Sequence, residues 1–212
     1  MIQADPDLPL LPTSAAPPPQ VRTAHLHDIE RLTDVLTASF YNCDGWRQWV
    51  YPFIRLGIQE DLKQRLRAQS PRYACLAAIA TDPAATPLSV APPNSHDAIA
   101  GTVEAALRQP WPWQGDRHVY ISNLAVGHSF RRQGIATTLL QSCEQVAQRW
   151  RIYELRLHVM EDNLAARALY LKAGFTIAQV EDTPASWLGL QARRLLLRKT
   201  LLPSPAPEQP PS

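Results

Sequence analysis

The chain has 212 residues, of which 45% are hydrophobic, and its formal net charge is +2. A length of this order suits one domain with a buried core, and the near balance of charge argues against a nucleic-acid-binding protein, whose binding face is strongly basic. Three widely spaced cysteines, Cys43, Cys75 and Cys143, form no CxxC pair and no zinc-ligand spacing, so neither a disulfide framework nor a metal site is expected.

Proline-rich sequence marks both ends of the chain. Six of the 20 prolines lie in residues 1–20 and five in residues 203–212, so we expect two disordered tails around a single domain at residues 21–202. Residues 1–20 lack the basic start and long apolar stretch of a signal peptide, and no apolar run reaches the ~18 residues of a membrane span. These observations favour a soluble cytoplasmic protein that has no membrane partner.

The sequence between the tails predicts a mixed α/β order. The predicted elements are, in chain order, strand Val21–Thr23, helix Asp28–Phe40, a helix beginning at Pro52, strands Tyr73–Ala80, Ile99–Leu107 and Val119–Val126, helix Ile135–Trp150, strand Glu154–Met160, helix Leu164–Ala173, and strands Thr176–Val180 and Arg194–Leu201. Apolar residues recur at helical spacing after Ile135 and alternate with polar ones in Glu154–Met160. Proline is tolerated in the first turn of a helix, which is why Pro52 is read as a start. A second proline-rich stretch, Thr81–Asp97, is predicted to be a surface loop.

The strongest chemical signal is the turn Arg131–Ala136, which opens the helix after the fourth predicted strand. A helix start carries unpaired N–H groups and the positive end of the helix dipole. Gly134 and Ala136 leave room for a ligand to approach the backbone. Such a turn suits a pyrophosphate, although a plain strand-to-helix turn with solvated arginines is the alternative. A P-loop is excluded, because its lysine and spacing are absent.

Two motifs resemble the signatures of the GNAT acetyltransferase superfamily. Residues Arg131–Ala136 match the acetyl-CoA signature RxxGxA, and residues Asn163–Phe175 match the pattern NxxAxxxYxxxGF. The resemblance implies a GNAT-like α/β fold with a mixed, mostly antiparallel sheet of six to seven strands and about four flanking helices. It also implies that strands four and five begin as parallel neighbours and then splay.

The resemblance further implies acetyl-CoA as co-substrate. The pantetheine arm would lie between the splayed strands, where a backbone N–H near Leu124 could polarise the thioester carbonyl. Tyr170 would protonate the departing thiolate, and Asn163 would touch the arm, although both also fit structural roles as a packed helix residue and an N-cap. The implied acetyl-CoA-binding residues are Leu124, Ala125, Val126, Arg131, Arg132, Gln133, Gly134, Ile135, Ala136, Thr137, Asn163 and Tyr170.

Three residues are candidates for accepting the proton of the amine. His158 lies on the polar face of the fifth strand, similar to the position of a His or Glu base in protein N-terminal acetyltransferases, and imidazole titrates near pH 7. Tyr120 occupies a strand-four position that is a tyrosine in some of those enzymes, and Glu104 is a further candidate. The alternatives are a histidine hydrogen-bonded inside the sheet and a solvent-facing strand carboxylate at Glu104. Cys143 falls on an apolar helix face, so an acyl-cysteine route is not expected and the resemblance implies direct attack by the amine.

The acceptor is expected to be a protein or peptide N-terminal α-amine. With a pKa of roughly 7.8, about a tenth of an α-amine is neutral at pH 7, whereas lysine at roughly 10.4 is far less so. By resemblance, Ser186–Gln191 would form a lip over the acceptor, with Trp187 as its wall. A lysine or small-molecule amine acetyltransferase and a non-catalytic acyl-CoA sensor are the alternatives, and a sensor would keep the turn but lose the acid at Tyr170.

Overall fold

A seven-stranded sheet with helices on both faces forms the body of the chain. The computed structural model describes residues 19–40, 47–81, 97–109, 117–182, 184–187 and 191–202. The strands are β1 (Gln20–Thr23), β2 (Tyr73–Thr81), β3 (Asp97–Arg108), β4 (His118–Val126), β5 (Glu154–Met160), β6 (Thr176–Glu181) and β7 (Arg194–Thr200). The helices are α1 (Ile29–Phe40), α2 (Arg47–Arg67), α3 (Ile135–Arg149), α4 (Leu164–Lys172) and the short α5 (Pro184–Trp187).

The strand order is β1-β2-β3-β4-β5-β7-β6, and every neighbouring pair is antiparallel except β4 and β5, which are parallel. The β4–β5 ladder joins Val119 to Leu155 and Tyr120 to Arg156, and within the described residues it ends there. Both strands continue beyond this point, so a gap opens between them. The predicted mixed, mostly antiparallel sheet with splayed fourth and fifth strands is therefore confirmed.

Two hydrophobic clusters attach the helices to opposite faces of the sheet. Helices α3 and α4 pack on one face with the inward side chains of β5, Leu155, Leu157 and Val159. Helices α1 and α2 pack on the other face, against β2, β3 and β4. Because side chains alternate along a strand, Arg156 and His158 of β5 belong to the α1/α2 side of the sheet. This alternation determines on which face of the sheet each candidate site residue lies.

A β-bulge interrupts β4 beside the gap. The register runs from Ala125 opposite Thr102 to Ser122 opposite Glu104, so two residues of β4, Asn123 and Leu124, face a single residue of β3. Asn123 has φ 53°, a left-handed conformation that asparagine tolerates better than most residues. The bulge bends β4 where it parts from β5.

The predicted elements occur in the predicted order, with two differences. Helix α2 begins at Arg47 and carries Pro52 inside it, so the prediction that Pro52 starts the helix is wrong. A proline inside a helix lacks the N–H for one backbone bond and crowds the carbonyl four residues earlier, yet the helix continues through Pro52 to a total of 21 residues. Helix α5 was not predicted, since four residues are too few to show a helical period.

Several predicted features lie outside the described residues. These are the two tails apart from residues 19–20, the interior of the Thr81–Asp97 loop, and Cys43. Strand β1 begins at Gln20, one residue inside the predicted N-terminal tail. Within the described part of the chain, no helix combines the length and the apolar character needed to span a membrane.

Candidate active site

The turn before α3 presents backbone N–H groups to solvent. Arg132 and Gly134 have φ values of 65° and 80°, and the first backbone bond of α3 runs from Thr138 N to Gly134 O at 3.1 Å. The N–H groups of the three residues after Gly134 therefore have no acceptor within the helix. A Cβ at Gly134 would meet no atom within 4 Å, so the left-handed backbone rather than crowding favours glycine there.

Two side chains of this turn brace the loop that leads into it. Arg131 donates from Nε to the Val126 carbonyl at 3.2 Å, and Gln133 donates from Nε2 to the Ser129 carbonyl at 3.2 Å. Both side chains belong to exposed residues, as does Arg132. Hydrogen bonds within the chain therefore hold the turn in place, while the two arginines that carry its positive charge remain exposed. This geometry suits an anion such as a pyrophosphate.

The predicted strand-four residues border the gap. Leu124 and Val126 pack against the cluster formed with α3 and α4, and Ala125 is buried in the cluster on the opposite face. Their side chains thus anchor β4 on both faces of the sheet. Their main chain runs along the edge that β5 has left. Ile135 is buried at the start of α3, and Ala136 is half-buried beside it.

The second motif places one residue on the surface and one in the core. Asn163 is the N-cap of α4, because its Oδ1 accepts from Ala166 N at 3.1 Å. Tyr170 is buried and packs edge-on against Phe175, with ring centroids 5.9 Å apart. Burial, with smaller effects of Cys143 and Tyr120, raises the pKa of Tyr170 to about 12. The phenol therefore holds its proton at neutral pH and can act as a donor.

Cys143 is buried on the α3 face of the core. Burial raises the pKa of its thiol to about 12, with a smaller effect of Glu144. The thiolate is the nucleophilic form of cysteine, so this residue has the properties of a packed core side chain.

On the opposite face, four side chains form a continuous polar row across β4, β5, β6 and β7. The Tyr120 hydroxyl lies 2.8 Å from His158 Nδ1, and His158 Nε2 lies 3.1 Å from Glu181 Oε1. Arg194 donates from Nε to Glu181 Oε2 at 2.8 Å. We call these residues the Tyr120–Arg194 row. Two predicted candidates, Tyr120 and His158, are thus in direct contact.

Charges around the row act on two of its members, Tyr120 and Glu181. Burial raises the pKa of Tyr120, against the opposing effects of Arg194 and Arg108, and Arg108 lies over the Tyr120 ring at 5.9 Å from its centroid. Burial also opposes ionisation of Glu181, but hydrogen bonds from His158 and Arg194 outweigh it and lower the pKa of that carboxyl. Glu181 is therefore a carboxylate at neutral pH.

Glu104 lies on the same face of the sheet but outside the row. It is 1% exposed, so the solvent-facing alternative considered for it is wrong. Arg65 of α2 donates to Oε2 at 2.6 Å, and Asn123 donates to Oε1 at 2.7 Å. Burial and this carboxylate raise the pKa of the neighbouring Tyr73. With both oxygens engaged, Glu104 ties α2 to the bulge of β4.

The candidate acid and the candidate proton acceptors lie on opposite sides of the sheet. Tyr170 belongs to the cluster with α3 and α4, whereas His158 projects from the other face of β5. The gap between β4 and β5 lies between these two faces, and Tyr120 belongs to the last residue pair of the β4–β5 ladder.

Glu181 and Arg194 were not identified from the sequence. They face each other as a cross-strand pair of opposite charge, but only the order β5-β7-β6 brings the pair to His158. Trp187, the predicted wall of the acceptor site, is 80% exposed at the end of α5, and residues 188–190 of the predicted lip lie outside the described part of the chain.

Comparison with known proteins identifies the family. The sequence model of the Acetyltransferase (GNAT) family matches residues 46–175, which is more than half of the chain. The chain is also 33% identical over 151 residues to GCN5-related N-acetyltransferase 10, chloroplastic, of Arabidopsis thaliana. That match covers 70% of this chain and 58% of the relative's length. The chain belongs to the GNAT acetyltransferase family, and the resemblance stated from its two motifs is confirmed.

Solved structures share the fold at lower sequence identity. The PaiA N-acetyltransferase of Thermoplasma acidophilum, solved in complex with coenzyme A, is 22% identical with a TM-score of 0.61, and the match covers 86% of this chain and 98% of that one. Arabidopsis thaliana NAA60, solved in complex with a bisubstrate analogue, is 18% identical with a TM-score of 0.57. That match covers 88% of this chain and 99% of the NAA60 chain.

Proposed function

We propose that this protein transfers an acetyl group from acetyl-CoA to a primary amine, and that the amine is the N-terminal α-amine of a protein or peptide. The observation that carries the proposal is the turn before α3, which has exposed arginines and follows β4, the strand that parts from β5. This turn suits a pyrophosphate. Tyr120 and His158 lie where the β4–β5 ladder ends, and Tyr170 lies on the other face of the sheet. Membership of an acetyltransferase family supports the same activity.

Acetyl-CoA would supply the acetyl thioester, with its diphosphate on the N–H groups after Gly134 and its arm along the main chain of Leu124–Val126. In the transfer, a bond forms between the amine nitrogen and the acetyl carbon while the carbon–sulfur bond breaks. Tyr170 gives its proton to the departing thiolate, for which a buried and protonated phenol is suited. The proton lost by the amine leaves on the other side, through Tyr120 and His158.

The α-amine is preferred as acceptor on chemical grounds. About a tenth of an α-amine is already neutral at pH 7, whereas lysine is almost entirely protonated. Only the neutral form of an amine can attack the thioester. Tyr120 and His158 can take up the proton that the α-amine releases in the attack, whereas very little lysine is in the attacking form. The location of the protein in the cell stays a prediction from the sequence, and the relative named above is described as chloroplastic.

The test uses the purified chain, acetyl-CoA and two matched peptides of one sequence. One peptide has a free α-amine and a blocked lysine, and the other has a blocked α-amine and a free lysine; a diamine serves as a third acceptor. Mass spectrometry with fragmentation should show the added acetyl group on the free α-amine. Acetylation of lysine or of the diamine alone would overturn the assigned acceptor. Binding of acetyl-CoA by calorimetry without any transfer would instead identify a sensor.

A further inference from the structure

We propose that Glu181 is a positioning residue of the transfer reaction: it holds His158 with Nε2 protonated, so that Nδ1 accepts the hydroxyl proton of Tyr120, and it stabilises the imidazolium that forms. This inference rests on the proposed acetyl transfer. It assigns a role to an acidic residue on β6, which two strands, β5 and β7, separate from β4, where Tyr120 lies.

The hydrogen-bond directions in the Tyr120–Arg194 row follow from its charged end. Arg194 can only donate, and a carboxylate can only accept. Glu181 therefore accepts from Arg194 on Oε2 and from His158 Nε2–H on Oε1. A neutral imidazole with its proton on Nε2 has a free lone pair on Nδ1, so the contact of 2.8 Å with Tyr120 is a bond donated by the hydroxyl.

The same arrangement makes proton removal directional. When the amine proton moves to the Tyr120 oxygen, the hydroxyl proton passes to His158 Nδ1 and the imidazole becomes a cation. That cation lies 3.1 Å from the Glu181 carboxylate. The charged groups on this face are Arg108 beside Tyr120, Arg194, and the ion pair of Arg156 with Glu154 at 2.6 Å. Without Glu181, a new positive charge would form near Arg108 and Arg194 with no carboxylate bonded to it, which is unfavourable at such partly buried positions.

A control carboxylate follows the end of β5. Glu161 forms a forked ion pair with Arg193, at 2.7 Å and 2.8 Å, through both of its oxygens, whereas Glu181 contacts the next residue, Arg194, through Oε2 alone. Its carboxylate is bonded to Arg193 instead of to His158. Substitutions at Glu161 therefore remove a comparable exposed ion pair without touching the row.

The experiment compares Glu181→Ala and Glu181→Gln with Glu161→Ala and Glu161→Gln, using acetyl-CoA and the peptide with a free α-amine. Glu181→Ala should lower kcat/KM by about 10²-fold, which is within the range for loss of general acid–base function. Glu181→Gln retains an acceptor for Nε2–H but no charge, so its loss should be smaller. Both Glu161 variants should remain within about twofold of the unsubstituted protein, and melting curves verify that all four variants are folded.

A second readout does not depend on the reaction. The two ring nitrogens of His158 give distinct ¹⁵N NMR signals, which a His158→Gln variant assigns. In the unsubstituted protein they should indicate a single neutral tautomer protonated at Nε2, and in Glu181→Ala they should move toward averaged values. Identical signals in both, or a Glu181→Ala rate equal to that of Glu161→Ala, would overturn the inference. Absence of acetyl transfer by the unsubstituted protein would instead count against the proposed function.

Discussion

At the scale of single residues, the environment of a phenol decides its chemistry. Tyr120 and Tyr170 have the same side chain, and burial raises the pKa of both. Tyr170 packs among apolar groups and keeps its proton, so it is fit to donate. Tyr120 touches an imidazole that can take its proton, so it is fit to pass one on. Their opposite roles therefore follow from their neighbours.

Replacing Tyr170 with Phe should affect chemistry more than binding. The substitution removes only the hydroxyl and preserves the edge-on contact with Phe175. We expect kcat to fall by about 10²-fold while the KM for acetyl-CoA stays nearly constant, as for a group used mainly in the transition state. Steady-state kinetics with varied acetyl-CoA measures both values. A rise in KM with unchanged kcat would contradict the acid role.

Replacing His158 with Ala should alter the pH dependence of the reaction. If the amine proton leaves through His158, the acid limb of the kcat/KM–pH profile should flatten, and turnover near pH 7 should fall by about 10²-fold. The rate should recover at high pH, where an α-amine deprotonates unaided. A merely structural histidine would give a rate loss that follows the loss of folded protein in melting curves, and an unchanged profile in a folded variant would exclude the role.

At the scale of elements, the turn before α3 combines backbone shape and charge. Its left-handed residues, Arg132 and Gly134, fix the direction in which the first N–H groups of the helix point. The side chains of Arg131 and Gln133 hold the preceding loop. Backbone conformation and contacts within the chain therefore set the shape of the turn.

Replacing Gly134 with Glu should weaken acetyl-CoA binding by roughly 1.4 kcal/mol or more, which is about tenfold in Kd. The added carboxylate would stand in open space where the diphosphate is proposed to bind. Gly134→Ala is the matched control, because it adds the strain of a left-handed alanine, about 1 kcal/mol, without the charge. Calorimetry should show a clearly larger loss for Glu than for Ala. Equal affinities in the two folded variants would contradict binding at this turn.

The elements were predictable because their signals are local. The alternation in Glu154–Met160 predicted β5 with its observed bounds, and two short motifs predicted the turn and α4. The surroundings of the site were not predictable in this way. The burial of Glu104 depends on Arg65, 39 positions away, and the contact of Glu181 with His158 depends on a strand order that no local pattern contains. The sequence could name His158 as a candidate, but not the carboxylate that orients it.

At the scale of the whole molecule, the proline-rich ends are predicted to be dispensable. A chain trimmed to residues 19–203 retains every described element, since β1 begins at Gln20 and β7 ends at Thr200. Its melting temperature should stay within about 2 °C of that of the full chain, because a loss of 1 kcal/mol would shift a protein of this size by about 2–4 °C. Its kcat/KM should be unchanged. A drop of several degrees on trimming would show that a tail packs on the domain.

The short ladder between β4 and β5 has a mechanical consequence. Two residue pairs join β1–β4 to β5–β7, and we call this boundary the seam. Acetyl-CoA bound between β4 and β5 would lie along the seam. Bound acetyl-CoA would contact both halves of the sheet and hold them together. Amide hydrogens along the seam would then exchange slowly until CoA departs. Turnover would require CoA to dissociate from both halves. Because only two residue pairs join the strands, we expect the two halves to separate readily when CoA leaves, and additional pairing here should slow product release.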